Sequence, residues 1–134
     1  MKLDLRQSRE RERRRQQILS AAKRVCISKG FARSKITDIA REAELSVGTL
    51  YNYFAGKREI LLAILNEMCV PIDALLQNAQ VPKSREDFVR IVESGLDIFV
   101  SQLDFTRTLL TEIWVDDVIL EDFVIGRLQY IGAA

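Results

Sequence analysis

The stretch ITDIAREAELSVGTLYNYF, residues 36–54, decides the fold of this chain. Its first eight residues space their apolar side chains at intervals of three and four, which is typical of one face of a short helix. Ser46 then offers an N-cap hydroxyl for another short helix, in which we expect Leu50 and Phe54 to face inward. Two short helices joined by a tight turn indicate a helix-turn-helix.

Residues 8–29 predict a longer helix in front of this pair. Ile18, Ala22 and Val25 lie on one face, and Gly30 follows where a helix C′ glycine belongs. The segment 9–17 is almost entirely charged or polar, so it has no apolar face to bury. We therefore expect residues 1–15 to form a basic arm that frays, and residues 16–66 to form a three-helix DNA-binding head.

The residues after the head predict further helices. A long apolar-rich helix starts near Lys57, and Pro71 should kink or break it within residues 67–71. A loop follows over 77–83, and Ser84 with Asp87 predicts the capped start of another helix. Helices are also expected over 105–114 and 117–131, and no strand pattern occurs. The fold class is all-α, with residues 67–134 forming a partial helical regulatory domain.

Charge is divided unevenly along the chain. The net charge of +1 hides a basic part, residues 1–58 at +9, and an acidic part, residues 59–134 at −8. A basic region of this kind favours a polyanionic partner such as DNA. No run of about 18 apolar residues and no apolar leader occur, so we expect a cytoplasmic protein that does not contact a membrane.

Catalytic and metal chemistry have little support in the composition. Histidine is absent, and Cys26 and Cys69 lack a C-x-x-C spacing. We expect no metal site, no cofactor and no enzymatic activity. An enzyme built on a helical bundle is the disfavoured alternative.

The quoted stretch, with Gly30-Phe31 before it and Lys57-Arg58-Glu59-Ile60-Leu61-Leu62 after it, closely resembles the TetR family of bacterial regulators. The resemblance covers about the first half of the chain. It implies a transcriptional regulator, commonly a repressor, that binds a palindromic DNA operator as a homodimer and is released by a small molecule.

The resemblance and the small residues of the third helix together suggest which residues contact DNA. Small side chains at a helix N-terminus let the backbone approach base edges in the major groove. Val47, Gly48, Thr49 and Asn52 are expected to contact bases, and Tyr51 and Lys57 the phosphates, whereas Tyr53 is equally compatible with the core. The candidate DNA-contacting residues are Lys35, Thr37, Ser46, Val47, Gly48, Thr49, Tyr51, Asn52, Tyr53 and Lys57.

Two positions depart from the family pattern. Lys35 stands where the family has a threonine or serine near the cap of the second helix, and Ser34 comes one residue earlier, so the cap can shift. Glu44 stands where the family usually has a glycine, in the turn between the second and third helices. If that turn needs a positive φ, a glutamate there costs on the order of 1 kcal/mol.

In the family, the later helices bind a ligand and form the dimer. Residues that would line an apolar ligand pocket are Phe88, Ile91, Val92, Phe99, Trp114 and Phe123, although each is also a candidate core residue. By its helix count the chain stops, at Ala134, before the usual final dimerisation helices. We therefore expect exposed apolar side chains and a marginal monomer or a non-native oligomer. A DNA-binding scaffold controlled by protein contact, without a small-molecule effector, is the alternative function.

Overall fold

The computed structural model describes residues 2–113 and 117–132, and every regular element in these ranges is a helix. In chain order the helices are α1 (Lys2–Lys29), α2 (Ile36–Glu42), α3 (Val47–Tyr51), α4 (Lys57–Asn78), α5 (Arg85–Ser101), α6 (Leu103–Ile113) and α7 (Asp117–Gly132). The all-α class and the helix-turn-helix arrangement of the head are as predicted. No helix in the described ranges is long and apolar enough to cross a membrane.

One apolar core holds the head together. It joins side chains of the first four helices, including Ile18, Ile39, Leu50 and Ile64, none of which is exposed. The four side chains come from α1, α2, α3 and α4 in turn. Burying an aliphatic side chain of this size stabilises the fold by about 1.5–3 kcal/mol. The short helices α2 and α3 are therefore fixed by tertiary packing, since helices of five to seven residues are unstable alone.

The sixth helix also enters this core. Phe105 and Leu109 of α6 are 6% and 8% exposed and belong to the same cluster as Ile18. By contrast, α5 has no buried residue. The core of the head thus extends beyond residue 66, into the part that the sequence assigned to a separate regulatory domain.

The first helix is longer than the sequence predicted, because it extends back to Lys2. Ion pairs between side chains one turn apart support this polar segment, with Arg13 and Arg14 3.2 and 3.3 Å from Glu10. Such pairs stabilise a helix without any apolar face. At the other end of α1, Gly30 has φ 81° and its N–H donates to the Cys26 carbonyl at 2.8 Å, which confirms the C′ glycine.

Pro71 does not end the fourth helix, which continues from Lys57 to Asn78. The predicted break within residues 67–71 is therefore wrong, whereas the kink, its alternative, stays a prediction. Pro71 is exposed, and because it has no N–H, the Glu67 carbonyl one turn earlier loses its helical donor. The side-chain amide of Gln102 also donates to the neighbouring Met68 carbonyl, at 3.4 Å.

Helix α7 is joined to α4 by two ion pairs, Arg58 with Asp122 and Arg127 with Asp73. The Arg127 guanidinium, hydrogen-bonded to both oxygens of Asp73, holds the pKa of that carboxyl below its usual value. Burial raises the pKa of the neighbouring Cys69 thiol. A thiol of this kind stays protonated at neutral pH and is a weak nucleophile.

Candidate nucleic-acid interface

Helix α3 has a buried inner side and an exposed outer side. Leu50 is fully buried and Phe54, just after the helix, is 7% exposed, as the sequence predicted. The Ser46 hydroxyl accepts a hydrogen bond from the Thr49 backbone N–H at 3.0 Å, which confirms Ser46 as the N-cap. It also lies 2.8 Å from the Thr49 hydroxyl. The cap and the buried anchors fix the direction in which the outer side faces.

The outer side carries most of the predicted DNA-contacting residues, and we call residues 46–53 the recognition segment. Ser46, Gly48, Tyr51 and Asn52 are exposed, and 52% of Tyr51 is accessible. Val47, Thr49 and Tyr53 are half-buried, and Val47 and Tyr53 pack partly against the core. Tyr53 packs partly against the core and is otherwise accessible, so the structure is compatible with both roles that the sequence left open.

Gly48 is not required by the fold. It does not have a positive φ, and a Cβ built on it would meet only the Ser46 Oγ, at an ordinary contact distance of 4.0 Å. A glycine inside a helix destabilises it by about 1 kcal/mol relative to alanine. The absence of a side chain at this exposed position leaves the backbone of α3 open to close approach from outside.

The start of α2 presents Lys35 and Thr37, and both are exposed. The cap stays at Lys35 rather than shifting to Ser34, which is buried and donates its hydroxyl hydrogen to the Gly30 carbonyl at 2.5 Å. Instead, the Lys35 backbone N–H donates to the Asp38 carboxylate at 3.1 Å. This bond, followed by that from Lys29, lowers the pKa of Asp38. The Ser34 hydroxyl is thus turned away from any external phosphate.

A glutamate at position 44 was expected to be unfavourable if the turn between α2 and α3 needs a positive φ. The turn does have a positive φ there. Glu44 has φ 57°, in the left-handed region that favours glycine. Its N–H donates to the Arg41 carbonyl at 3.1 Å, and the Leu45 N–H donates to the Ala40 carbonyl at 2.9 Å. The turn therefore keeps its hydrogen bonds, while the Glu44 side chain stays exposed.

Lys57 has internal partners that the sequence did not indicate. Its Nζ donates to the carbonyl oxygens of Phe31 and Ser34, at 2.8 and 3.0 Å, and lies 4.4 Å from the centroid of the Phe31 ring. The ammonium group thus fastens the first turn of α4 to the segment between α1 and α2. Two of its three N–H donors are used, and one remains for an external anion.

Two arginines of α1 lie against aromatic rings at the end of the recognition segment. The Arg11 guanidinium carbon is 5.1 Å from the centroid of the Tyr53 ring, and that of Arg15 is 5.6 Å from the Phe54 ring. Neither arginine was among the DNA-contacting residues predicted from the sequence. The signal was present, however, because positions 11 and 15 continue the spacing that leads to the buried Ile18.

The six predicted pocket residues do not surround one cavity within the described residues. Phe88, Val92 and Phe99 are exposed on α5, whereas Phe123 packs partly against the head core. Ile91 alone lines a groove of about 330 Å³ beside the loop between α4 and α5, with Leu75 opposite. Trp114 lies outside the described residues.

Comparison with known proteins finds a family model that matches the head and relatives that match a longer part of the chain. A family model described as bacterial regulatory proteins of the tetR family matches residues 18–64. The transcriptional regulator HbdR of Aromatoleum sp. (strain CIB) is 37% identical over 82 residues, which cover 61% of this chain and 34% of HbdR. EthR of Mycolicibacterium smegmatis is 33% identical over 82 residues, covering 61% of this chain and 37% of EthR. The chain therefore spans about a third of the length of these two regulators.

Solved structures share the fold over more of the chain. A TetR family transcription regulator from Marinobacter aquaeolei VT8 superposes with a TM-score of 0.65 at 28% identity, covering 88% of this chain and 63% of that one. The fatty acid degradation regulator FadR from Bacillus halodurans gives a TM-score of 0.68 at 20% identity, covering 87% and 62%. The likeness thus includes helices beyond the head, and at 20% identity it concerns the fold alone.

Proposed function

This chain belongs to the TetR family of bacterial regulatory proteins, and we propose that it is a transcriptional regulator that binds double-stranded DNA through its recognition segment. The relatives reported above are regulators and not enzymes. The proposal assigns the base contacts to α3, the phosphate contacts to its flanks, and a palindromic DNA operator as the target.

The exposed Gly48 is the observation that carries the proposal. Since the fold leaves room for a Cβ at this position, the glycine stabilises nothing inside the chain. A major groove that receives the N-terminal end of a helix does need a small residue there, because the backbone approaches the base edges closely. The surrounding surface is polar, as DNA contact requires, with Ser46, Tyr51 and Asn52 exposed.

Asn52 supports sequence reading more directly than Val47. Its amide is exposed, and an asparagine side chain can form two hydrogen bonds with an adenine edge. Val47 is half-buried and packs against the core, so its substitution would change stability as well as contact. Tyr51 and Lys57 are the proposed phosphate contacts, since phosphates accept the hydroxyl and ammonium hydrogens that these side chains offer.

Selection from a pool of randomised duplexes tests this function. We expect the chain to enrich a defined sequence, and Asn52→Ala to alter the preferred base at one position at a cost of about 1–3 kcal/mol. The matched control is Asn78→Ala at the far end of α4, where the side chain donates to the Ala74 carbonyl within its own helix. Enrichment of no sequence by the unaltered chain, or an equal effect of the two substitutions, would contradict the proposal.

We further propose that the regulator is a repressor released by a small apolar molecule. Support comes from α6, because Phe105 and Leu109 are part of the head core, so that a ligand that shifts α6 also acts on α1. A reporter gene behind the selected sequence should be expressed less when the chain is present, and a compound that releases the chain should restore expression. Increased expression in the presence of the chain would contradict the repressor role.

A further inference from the structure

We propose that Arg11 of α1 is a further phosphate-contacting residue of the interface and that the ring of Tyr53 holds it in position. The inference rests on the proposed DNA binding and adds to it a contact from outside the helix-turn-helix. Its basis is the stacking of the Arg11 guanidinium on Tyr53, at 5.1 Å from the ring centroid.

Tyr53 forms a fixed platform for this arginine. It directly follows the exposed Tyr51 and Asn52, and it packs partly against the head core. A guanidinium stacked on an aromatic face keeps the N–H donors at its edge free, and these match the oxygens of a phosphate. Stacking therefore orients Arg11 beside the recognition segment without using its hydrogen-bonding capacity.

The pairing of the neighbouring arginines singles out Arg11. Arg13 and Arg14 lie within 3.3 Å of Glu10, and Arg15 lies 3.2 Å from Glu67. Among the described residues, no carboxylate lies within ion-pair distance of Arg11, and its side chain is exposed. A cation that is both oriented and unpaired, next to a DNA-contacting segment, favours an anion supplied by the duplex.

Arg11 lies within a helix, so its contact with Tyr53 belongs to the folded surface of the head. Because α1 is continuous from Lys2 to Lys29, Arg11 stands two helical turns, roughly 10 Å, before the fully buried Ile18. Its position is set by the core and not by folding upon DNA. Arg11 thus lies in a helical part of the arm, and fraying of residues 1–15 stays a prediction.

Binding of the full chain to a duplex of mixed sequence tests the inference, since a phosphate contact does not depend on base sequence. We expect Arg11→Gln to weaken binding by about three- to tenfold and to reduce the slope of log K against log salt by about 0.9. The matched control is Arg9→Gln, an exposed arginine of the same helix with the same change of charge. Equal effects of the two substitutions on affinity and slope would overturn the proposal.

Variants of Tyr53 separate its ring from its hydroxyl. Tyr53→Phe keeps the platform, so adding Arg11→Gln to it should still cause the full loss of affinity, whereas Tyr53→Leu should by itself reproduce the loss caused by Arg11→Gln. Adding Arg11→Gln to Tyr53→Leu should then cause little further loss. If Tyr53→Phe weakens binding as much as Tyr53→Leu, the hydroxyl contacts DNA itself and the positioning role is wrong. Circular dichroism checks that Tyr53→Leu folds. If this variant does not fold, Arg11→Gln still tests the proposal, because Arg11 is exposed.

The two proposals fail in different ways. If the unaltered chain selects a defined sequence but Arg11→Gln behaves like Arg9→Gln, only the role of Arg11 is wrong. If the unaltered chain binds no duplex at low salt, both the proposed function and this inference are contradicted.

Discussion

The Nζ of Lys57 lies 2.8 Å from the carbonyl oxygen of Phe31, and this bond joins two segments 26 residues apart in the chain. It places the positive charge of the lysine over the aromatic ring of the same residue, at 4.4 Å. The lysine that the family resemblance assigned to DNA therefore also holds the head together.

Replacing Lys57 should reduce both stability and DNA affinity. Lys57→Ala removes two charge-assisted hydrogen bonds at a half-buried site, so we expect the free energy of unfolding to fall by about 1–2 kcal/mol. Binding should weaken about equally on all DNA sequences, as for a phosphate contact. Lys83→Ala, in the exposed loop before α5, is the control for loss of a positive charge. A change in sequence preference would contradict this role, and unchanged thermal unfolding would show that the internal bonds add nothing.

Gly48→Ala should separate folding from binding. We expect the substitution to stabilise the DNA-free chain by about 0.5–1 kcal/mol, because alanine is the better helix former and the new Cβ meets no close neighbour. Binding to the selected sequence should nevertheless weaken, by about 1–3 kcal/mol if one base contact is lost. Chemical denaturation and a binding titration measure the two effects. Unchanged affinity together with higher stability would mean that DNA does not approach α3 at this residue.

Asp38 should make the head sensitive to acid. Its pKa is lowered from the ordinary 3.8, first by the hydrogen bond from the Lys35 N–H and then by Lys29. The folded state therefore binds a proton less readily than the unfolded chain. The stability that Asp38 contributes is full above about pH 3.8 and is lost as the pH falls through its lower folded pKa.

Urea unfolding as a function of pH checks this prediction. The unaltered chain should be more stable than Asp38→Asn near neutral pH, and the difference should shrink below about pH 3.8. Asp97→Asn, on the exposed side of α5, is the control. A difference that stays constant down to the lowest pH would show that the charge of Asp38 is not what stabilises the head.

The sequence predicted the parts of the fold that depend on local patterns. Apolar spacing indicated that Ile39 and Leu50 face the core, and Ser46 and Gly30 marked helix ends through capping preferences that act within a few residues. The extension of α1 to Lys2 was missed, because residues 2–7 have no buried apolar face to detect, and Leu3 and Leu5 are both exposed.

The rest of the candidate site depends on contacts between distant segments. The internal partners of Lys57 lie 23 and 26 residues away, and Arg11 meets Tyr53 only when α1 packs beside the recognition segment. Local spacing indicates that Arg11 lies on the inward face of α1, but no local pattern identifies its partner or the partners of Lys57. The break predicted at Pro71 was wrong for a related reason, since whether a proline ends a helix depends on the surrounding packing as well as on the lost hydrogen bond.

The apolar stripe on α5 should cause self-association. Phe88, Leu96 and Phe99 recur on one face and are 58%, 56% and 51% exposed. Exposed stripes of this kind associate in water. We expect sedimentation to show concentration-dependent association, and Leu96→Gln to reduce it without unfolding the head. Leu109→Gln is the contrasting variant and should unfold the chain, because Leu109 is buried in the head core. A monomer at all concentrations would refute the prediction.

The burial of Phe105 and Leu109 in the core of the head couples α6 to the DNA-binding helices, and this coupling has a thermodynamic consequence. If a ligand at α5 or α6 changes the affinity for DNA by some factor, DNA must change the affinity for that ligand by the same factor. Occupancy of the operator would then be reported at α5 or α6. The concentration of effector needed to release the regulator would rise with the amount of operator DNA present, even though the two sites share no atom.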